Sequence, residues 1–284
     1  MGNQAGLNER IRHFYDRSTA IWLDTWGEHM HHGYYGPDGK EEKDHRQAQT
    51  DLITEFLQWG HVQNPARILD AGCGVGGSAR FLARVLNAEV LGLTLSPVQA
   101  ERATFFNQQA GLGERVRVEV QDVLQLKVDQ GPFDLIWSLE SAEHMPEKRR
   151  LLQVFYDTLR PGGTLLMATW CHRETPPAIM EKERNLMQKI EHYYHLPPMI
   201  SLGEYEQMAG ETGFQEVKTA DWTNSVAPFW PAVVRSAVTW HSLAGLLRAG
   251  WPTLRGAWAM QFMMRGYRSG ALRFGVLHAK KPNL

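Results

Sequence analysis

The segment Asp70-Ala71-Gly72-Cys73-Gly74-Val75-Gly76-Gly77 constrains this chain more than any other. It follows a short apolar run, Arg67-Ile68-Leu69-Asp70, and leads into a helical pattern from Ser78 to Leu86. Glycines at such a junction permit positive φ and let backbone approach a ligand closely, and the following helix N-terminus suits an anionic group. The bland alternative is an ordinary strand–helix turn; four glycines and a strand-terminal acid argue against it.

The alternation continues beyond the loop. Strands are expected at Glu89–Leu95, Val116–Val120, Phe133–Ser138, Thr164–Trp170, 214–221 and 272–279. Helices are expected between them, one with Pro97 in its first turn and one opened by Pro146. This implies a Rossmann-like, seven-stranded α/β sheet with helices on both faces. Residues 5–17 and 44–59 read as helices, with an aromatic, His- and Gly-rich loop from Trp22 to Gly39 between them. Further helices are expected at 178–195, 203–212 and 225–269. Residues 1–64 thus form an N-terminal helical cap or lid. Residues 65–171 form the ligand-binding α/β core. Residues 172–284 complete that core with its last two strands, with helical insertions after strands five and six.

Cys73 and Cys171 are the two cysteines among 284 residues, outside any CxxC spacing, which excludes a disulfide framework and a zinc finger. Net charge is −1, against a dedicated nucleic-acid binder. The charge is segregated: from Trp222 onward there is no acid, and the segment carries +8, leaving −9 for residues 1–221. A basic, apolar stretch at 232–264 reads as contact with an anionic membrane surface, or as a lid whose arginines are merely solvated. No apolar run is long enough to span a bilayer, and no targeting segment is evident, so a cytoplasmic protein, peripheral to a membrane at most, is expected.

A dinucleotide-binding loop would have GxGxxG; here the third glycine is out of register, and Thr94 stands where an acid would hold a ribose. The loop instead resembles the first motif of the S-adenosylmethionine-dependent methyltransferases. Gln121-Asp122-Val123, Phe133-Asp134-Leu135-Ile136-Trp137-Ser138 and Leu159-Arg160-Pro161-Gly162-Gly163 resemble that superfamily's later motifs, and Thr94-Leu95-Ser96 resembles a subset including sterol, cyclopropane and tocopherol methyltransferases. Trp26-Gly27-Glu28-His29-Met30-His31-His32-Gly33-Tyr34-Tyr35, Ala168-Thr169-Trp170-Cys171-His172-Arg173 and Ala227-Pro228-Phe229-Trp230-Pro231 narrow the resemblance to the γ-tocopherol methyltransferase family, from about residue 10 to the end. The plastid transit peptide of plant members is not seen.

The resemblance implies methylation of an aromatic ring carbon beside a phenol hydroxyl, on a chromanol such as γ- or δ-tocopherol, with S-adenosyl-L-methionine as cofactor. N- or O-methylation of another aromatic or alkaloid is the alternative; a non-catalytic binder that kept the fold is a third reading. The implied cofactor residues are Asp70, Gly72, Cys73, Gly74, Gly76, Thr94, Leu95, Gln99, Asp122, Val123, Ser138 and Leu139, with Tyr34 in a lid. The acceptor is expected against His29, His32, Tyr15, Trp26, Trp170 and Trp230, since clustered aromatics suit a bulky apolar ligand.

A phenol must lose its proton to become a strong carbon nucleophile, and the attacked carbon must then lose its own. Glu140, Glu143 and His144, after the fourth strand, are the candidate bases, with Glu143 or His144 favoured; the alternative is capping of the following helix. The His29/His31/His32 cluster invites a metal, but no carboxylate or cysteine stands at matching spacing, so none is expected.

Overall fold

The computed structural model describes the backbone of residues 2–240 and 250–283, and their side chains except those of 2–5, 21, 25, 236–240 and 250–258. Seven strands form one sheet in the order β3-β2-β1-β4-β5-β7-β6. They are β1 Arg67–Ala71, β2 Glu89–Thr94, β3 Val116–Val120, β4 Phe133–Leu139, β5 Leu159–His172, β6 Gln215–Asp221 and β7 Leu272–Lys280. β1 to β5 are parallel, and β7 runs antiparallel between β5 and β6. The chain order reverses beside β1, so the crevice at the carboxyl ends of β1 and β4 is the place for a ligand.

Helices α1 Gly2–Trp26 and α2 His45–Trp59 precede the sheet; α3 Gly77–Val85, α4 Pro97–Gln109 and α5 Lys148–Thr158 are crossovers. Helices α6 Glu181–Tyr194 and α7 Leu202–Thr212 follow β5; α8 Thr223–Val226, α9 Phe229–Trp240 and α10 Gly250–Ser269 separate β6 from β7. Local chemistry sets these boundaries. Ser96 caps α4 by accepting the Gln99 N–H at 3.0 Å, with Pro97 in the first turn. Ser201 and Glu204 form a capping box on α7, which ends on left-handed Gly213.

The central strand β4 shows why the sheet holds. Phe133, Leu135, Ile136 and Trp137 are fully or almost fully buried, and truncating Trp137 to Ala would cost about 3 to 5 kcal/mol. Half-buried Asp134 accepts the N–H groups of Ala66 and Arg67 at 2.9 and 2.7 Å and pairs with Arg160, fixing the start of β1 beside β4.

Three expectations shift. The first helix does not stop at residue 17: α1 runs to Trp26, with Phe14 meeting Trp22 edge to face and Trp22 stacked on Trp26 along one face, the last two with ring centroids 5.5 Å apart. The helix expected at Pro146 starts at Lys148, after a single 3-10 turn at Ala142–His144. The helical stretch 225–269 is divided among α8, α9 and α10; the part of the basic stretch at 241–249, with Arg248, and the side chain of Arg255 lie outside the described residues. No described helix is long and apolar enough to cross a membrane.

Candidate functional site

A cleft of about 990 Å³, open solvent included, lies at the carboxyl ends of β1, β2, β3 and β4, with α1 across it. The glycine loop is its floor. Gly72 has φ +90°, and a Cβ there would run into Ser141; Gly74 has φ +55°, and a Cβ there would meet no protein atom within 4 Å, only the space of the cleft. Cys73, Asp70, Thr94, Leu95, Gln99, Asp122, Val123 and Leu139 also line it, as the sequence led us to expect.

These groups are held in distinct ways. Asp70, at the end of β1, is 2% exposed, and its Oδ2 has no partner. Burial pushes its carboxyl up to about 7, against a backbone N–H bond from Ala79 and the charge of Arg80. Thr94 donates to Gln99 Oε1 at 2.8 Å, and Ser96 donates to Asp16 of α1. Asp122 accepts from Leu124 N at 2.9 Å and from Asn8 Nδ2 of α1 at 2.8 Å. Burial pushes the Cys73 thiol well up, so it is an inert wall.

The segment after β4 brings Glu140 and His144 to the cleft, with Tyr15 of α1. Tyr15 Oη and His144 Nε2 are 2.8 Å apart. Burial drives the His144 imidazole down to about 3, so it is neutral, and its Nδ1 has no partner. Glu140 follows β4 with φ +52°, a left-handed backbone that is strained for a non-glycine residue. Its carboxylate receives the His32 backbone N–H at 2.6 Å, His32 Nδ1 at 2.7 Å and the Trp170 indole N–H at 3.0 Å. A carboxylate only accepts, so His32 Nδ1 carries a hydrogen, and His32 Nε2 is hydrogen-bonded to the Tyr267 hydroxyl at 3.1 Å. Phe229, Trp230 and Phe274 enclose the His32 ring, with centroids 5.1 to 5.4 Å away. Sequence proximity could not give this assembly, since Tyr267 is 235 residues from His32.

Several expected site residues are elsewhere. Glu143, 1% exposed, does not line the cleft: it accepts from Thr169 Oγ1 at 3.0 Å. Burial, then the charge of Glu140, raises its carboxyl, while burial lowers the neighbouring Lys148 ammonium. The 3-10 turn sends Glu143 to one side and His144 to the other. Tyr34 is not a lid over the glycines; its ring packs on Trp222 and its N–H bonds to Ala48 O at 2.8 Å. Met30 and His31 take the place expected for it. Ser138 is fully buried and bonded to Ser141, and Gly76 backs onto Arg80 and Ala103, so neither faces the cleft. Trp26, Trp170, Trp230 and His32 pack on one another rather than on open space, and His29 stands against the start of α3, on the glycine-loop side. Among the described residues no group of three His, Cys, Asp or Glu is placed to hold a metal; both nitrogens of His32 are already engaged.

Asn8, Asp16, Met30 and Ser141 are cleft or cleft-holding residues that sequence reasoning missed. His31, which the His-rich run offered with His29 as a residue facing the acceptor, lines the cleft as His29 does.

Residues 68–163 match the family model described as a methyltransferase domain. A probable chloroplastic tocopherol O-methyltransferase of Oryza sativa subsp. japonica is 42% identical over 286 residues, covering 98% of this chain and 79% of the relative. The chloroplastic tocopherol O-methyltransferase of Arabidopsis thaliana is 38% identical over 288 residues, covering 97% and 83%. Among solved structures, a cyclopropane synthase of Mycobacterium tuberculosis superposes with TM-score 0.84 at 18% identity, covering 96% of this chain and 98% of that one, a likeness that bears on the fold alone.

Proposed function

Because the chain belongs to the tocopherol methyltransferase family, whose cofactor is S-adenosyl-L-methionine, we propose that it methylates a tocopherol-type chromanol, and that the acceptor atom is a ring carbon beside the hydroxyl. The cleft fits the cofactor. Asp70 Oδ2 lacks a donor that an ammonium group would supply, and the absent Cβ of Gly74 leaves room for a ligand against the backbone. Asp70, Gly72, Cys73 and Gly74 would hold its amino acid part, Thr94, Leu95 and Gln99 its ribose, and Asp122, Val123 and Leu139 its adenine. When bound it supplies an electrophilic methyl group.

The observation that carries the acceptor chemistry is the carboxylate of Glu140, a cleft-lining residue, with three N–H donors fixing it. It takes the phenol proton, which raises electron density at the ortho carbon. His32, Trp170 and Tyr267 orient it. After attack, the ring carbon sheds its own proton; neutral His144, with an unpartnered nitrogen, accepts it, and Tyr15 fixes the imidazole. Two proton acceptors lining one cleft suit carbon methylation, since oxygen methylation needs one. The relatives' names put the methyl on oxygen, so the product distinguishes the two: a carbon product keeps a free phenol.

In this reading residues 1–64 cap the cleft, 65–171 bind the cofactor, and 172–284 complete the sheet and help enclose the acceptor. The basic segment from Trp222 meets an anionic bilayer from which an apolar substrate is drawn. Co-sedimentation with anionic vesicles at low salt checks this, and absence of binding contradicts it. Incubation with labelled cofactor and γ- or δ-tocopherol, with NMR of the product, tests the reaction.

A further inference from the structure

Three polar atoms in one wall of the cleft have no partner: Asp70 Oδ2, His29 Nδ1 and His31 Nε2. The loop carrying the histidines is anchored from behind. Gln49 Nε2 donates to the carbonyls of His29 and His31, and Glu28 pairs with Arg80 at 2.6 Å. That loop is pressed onto the first turn of α3: a Cβ on Gly77 would strike the Glu28 carbonyl and lie 3.0 Å from His29 Nδ1. Asp70 is bonded to the same turn, through Ala79 N–H. The two imidazoles are 5.3 Å apart, centroid to centroid.

The tautomer of His31 follows from its other nitrogen. Nδ1 lies 2.8 Å from the His32 carbonyl, which only accepts, so Nδ1 carries the hydrogen and Nε2 presents a bare lone pair. Burial holds both imidazoles neutral, driving His29 to about 4 and His31 well below the ordinary histidine range. A buried acceptor without a donor is costly, and His31 Nε2 and Asp70 Oδ2, both in residues lining the cleft, have none. A carboxylate or phosphate could not satisfy them, being itself only an acceptor. Arg80 is committed to Glu28, Asn107 and the Val75 carbonyl.

We propose that His31, with His29 beside it, is a further cofactor-binding residue, whose Nε2 accepts a hydrogen bond from the α-ammonium group of S-adenosylmethionine opposite Asp70. This rests on the methyltransferase reading above. It assigns the wall by charge: lone pairs of Asp70 and His31 face the ammonium, and the backbone N–H groups of the glycine loop are left for the carboxylate.

The test is isothermal titration of S-adenosylhomocysteine and of 5′-methylthioadenosine, which lacks the amino acid part, into the unmodified protein, His31→Phe and His31→Gln. Phenylalanine keeps the ring volume without a lone pair; glutamine keeps an acceptor. Loss of one hydrogen bond to a charged group should weaken S-adenosylhomocysteine by about tenfold to a hundredfold in His31→Phe. Methylthioadenosine affinity should stay within about threefold, and glutamine should recover much of the loss. An unchanged affinity for S-adenosylhomocysteine, or equal weakening of both ligands, overturns the assignment, the second outcome meaning that His31 only supports the loop. Failure of the unmodified protein to bind S-adenosylhomocysteine at all overturns the methyltransferase reading, and this inference with it.

Discussion

Replacing Glu140 by Gln removes a charge while keeping size. The carboxylate faces three N–H donors, from the His32 backbone, the His32 ring and the Trp170 indole. An amide can accept from only one side, so its NH₂ meets a donor and one of the three bonds is lost. That costs about 1 to 3 kcal/mol of stability, because a buried donor loses its partner, which lowers Tm without abolishing the fold. The catalytic cost is larger. A positioned general base contributes about a hundredfold to ten-thousandfold, or about 2.7 to 5.4 kcal/mol of barrier, and glutamine cannot accept the phenol proton. The expected result is a kcat lowered by that factor at saturating cofactor, with S-adenosylhomocysteine affinity within about threefold of the unmodified protein. Glu140→Asp, which keeps the charge but shortens its reach, should fall between. A kcat within threefold of the unmodified enzyme refutes the assignment. So does a fall in kcat matched by an equal fall in cofactor affinity, because Glu140 would then be holding the cleft rather than moving a proton.

Three further outcomes are expected. The folded-state carboxyl of Asp70, raised to about 7 by burial, binds a proton that the unfolded chain has released. Its contribution to stability is therefore full below the ordinary carboxylate range and is lost as pH rises from there through about 7. Asp70→Asn should flatten that slope in melts of the ligand-free protein between pH 5 and 8, raise Tm at pH 8, and weaken the cofactor more than tenfold; an unaltered slope contradicts the burial argument. Gly74→Ala places a methyl group in the open cleft on a left-handed backbone, so about 1 to 2 kcal/mol of stability should be lost while cofactor affinity falls at least tenfold. Affinity surviving that change would mean that the floor is not used. Tyr267→Phe leaves His32 Nε2 without its hydroxyl partner; kcat should drop by roughly threefold to thirtyfold, the equivalent of one lost hydrogen bond, with KM and cofactor affinity little altered.

The sheet and the floor of the site were legible in the chain because their signals are local. An apolar run ending in Asp70, glycines at fixed offsets and a following helix belong to one short stretch, and the structure turns Gly72 and Gly74 to positive φ there. Direction was not legible. Glu140, Glu143 and His144 lie within five residues, and nothing in their identities says which enters the cleft; a left-handed backbone at Glu140 and a 3-10 turn at Ala142–His144 decide it. The same holds for the His-rich loop. Met30 and His31 face the cleft while Tyr34 turns away, because Gly33 lets the loop lie against Ala48 and the Tyr34 N–H bonds there. The extension of α1 to Trp26 was hidden by its aromatic composition. Trp26 also packs against Trp230 of α9, a contact no local window contains. Asn8 carried no motif at all, and both it and Asp16 acquire their place only once α1 lies over Asp122 and Ser96.

The central claim is that one methyl group passes to a ring carbon of a chromanol whose phenol proton Glu140 removes. The measurement is a reaction of the protein with carbon-labelled S-adenosylmethionine and γ-tocopherol, the product's labelled methyl being located by NMR. The expected product carries an aryl methyl group ortho to a free hydroxyl, and it disappears with Glu140→Gln. A labelled methoxy group, or product formed at the unmodified rate by Glu140→Gln, would contradict it.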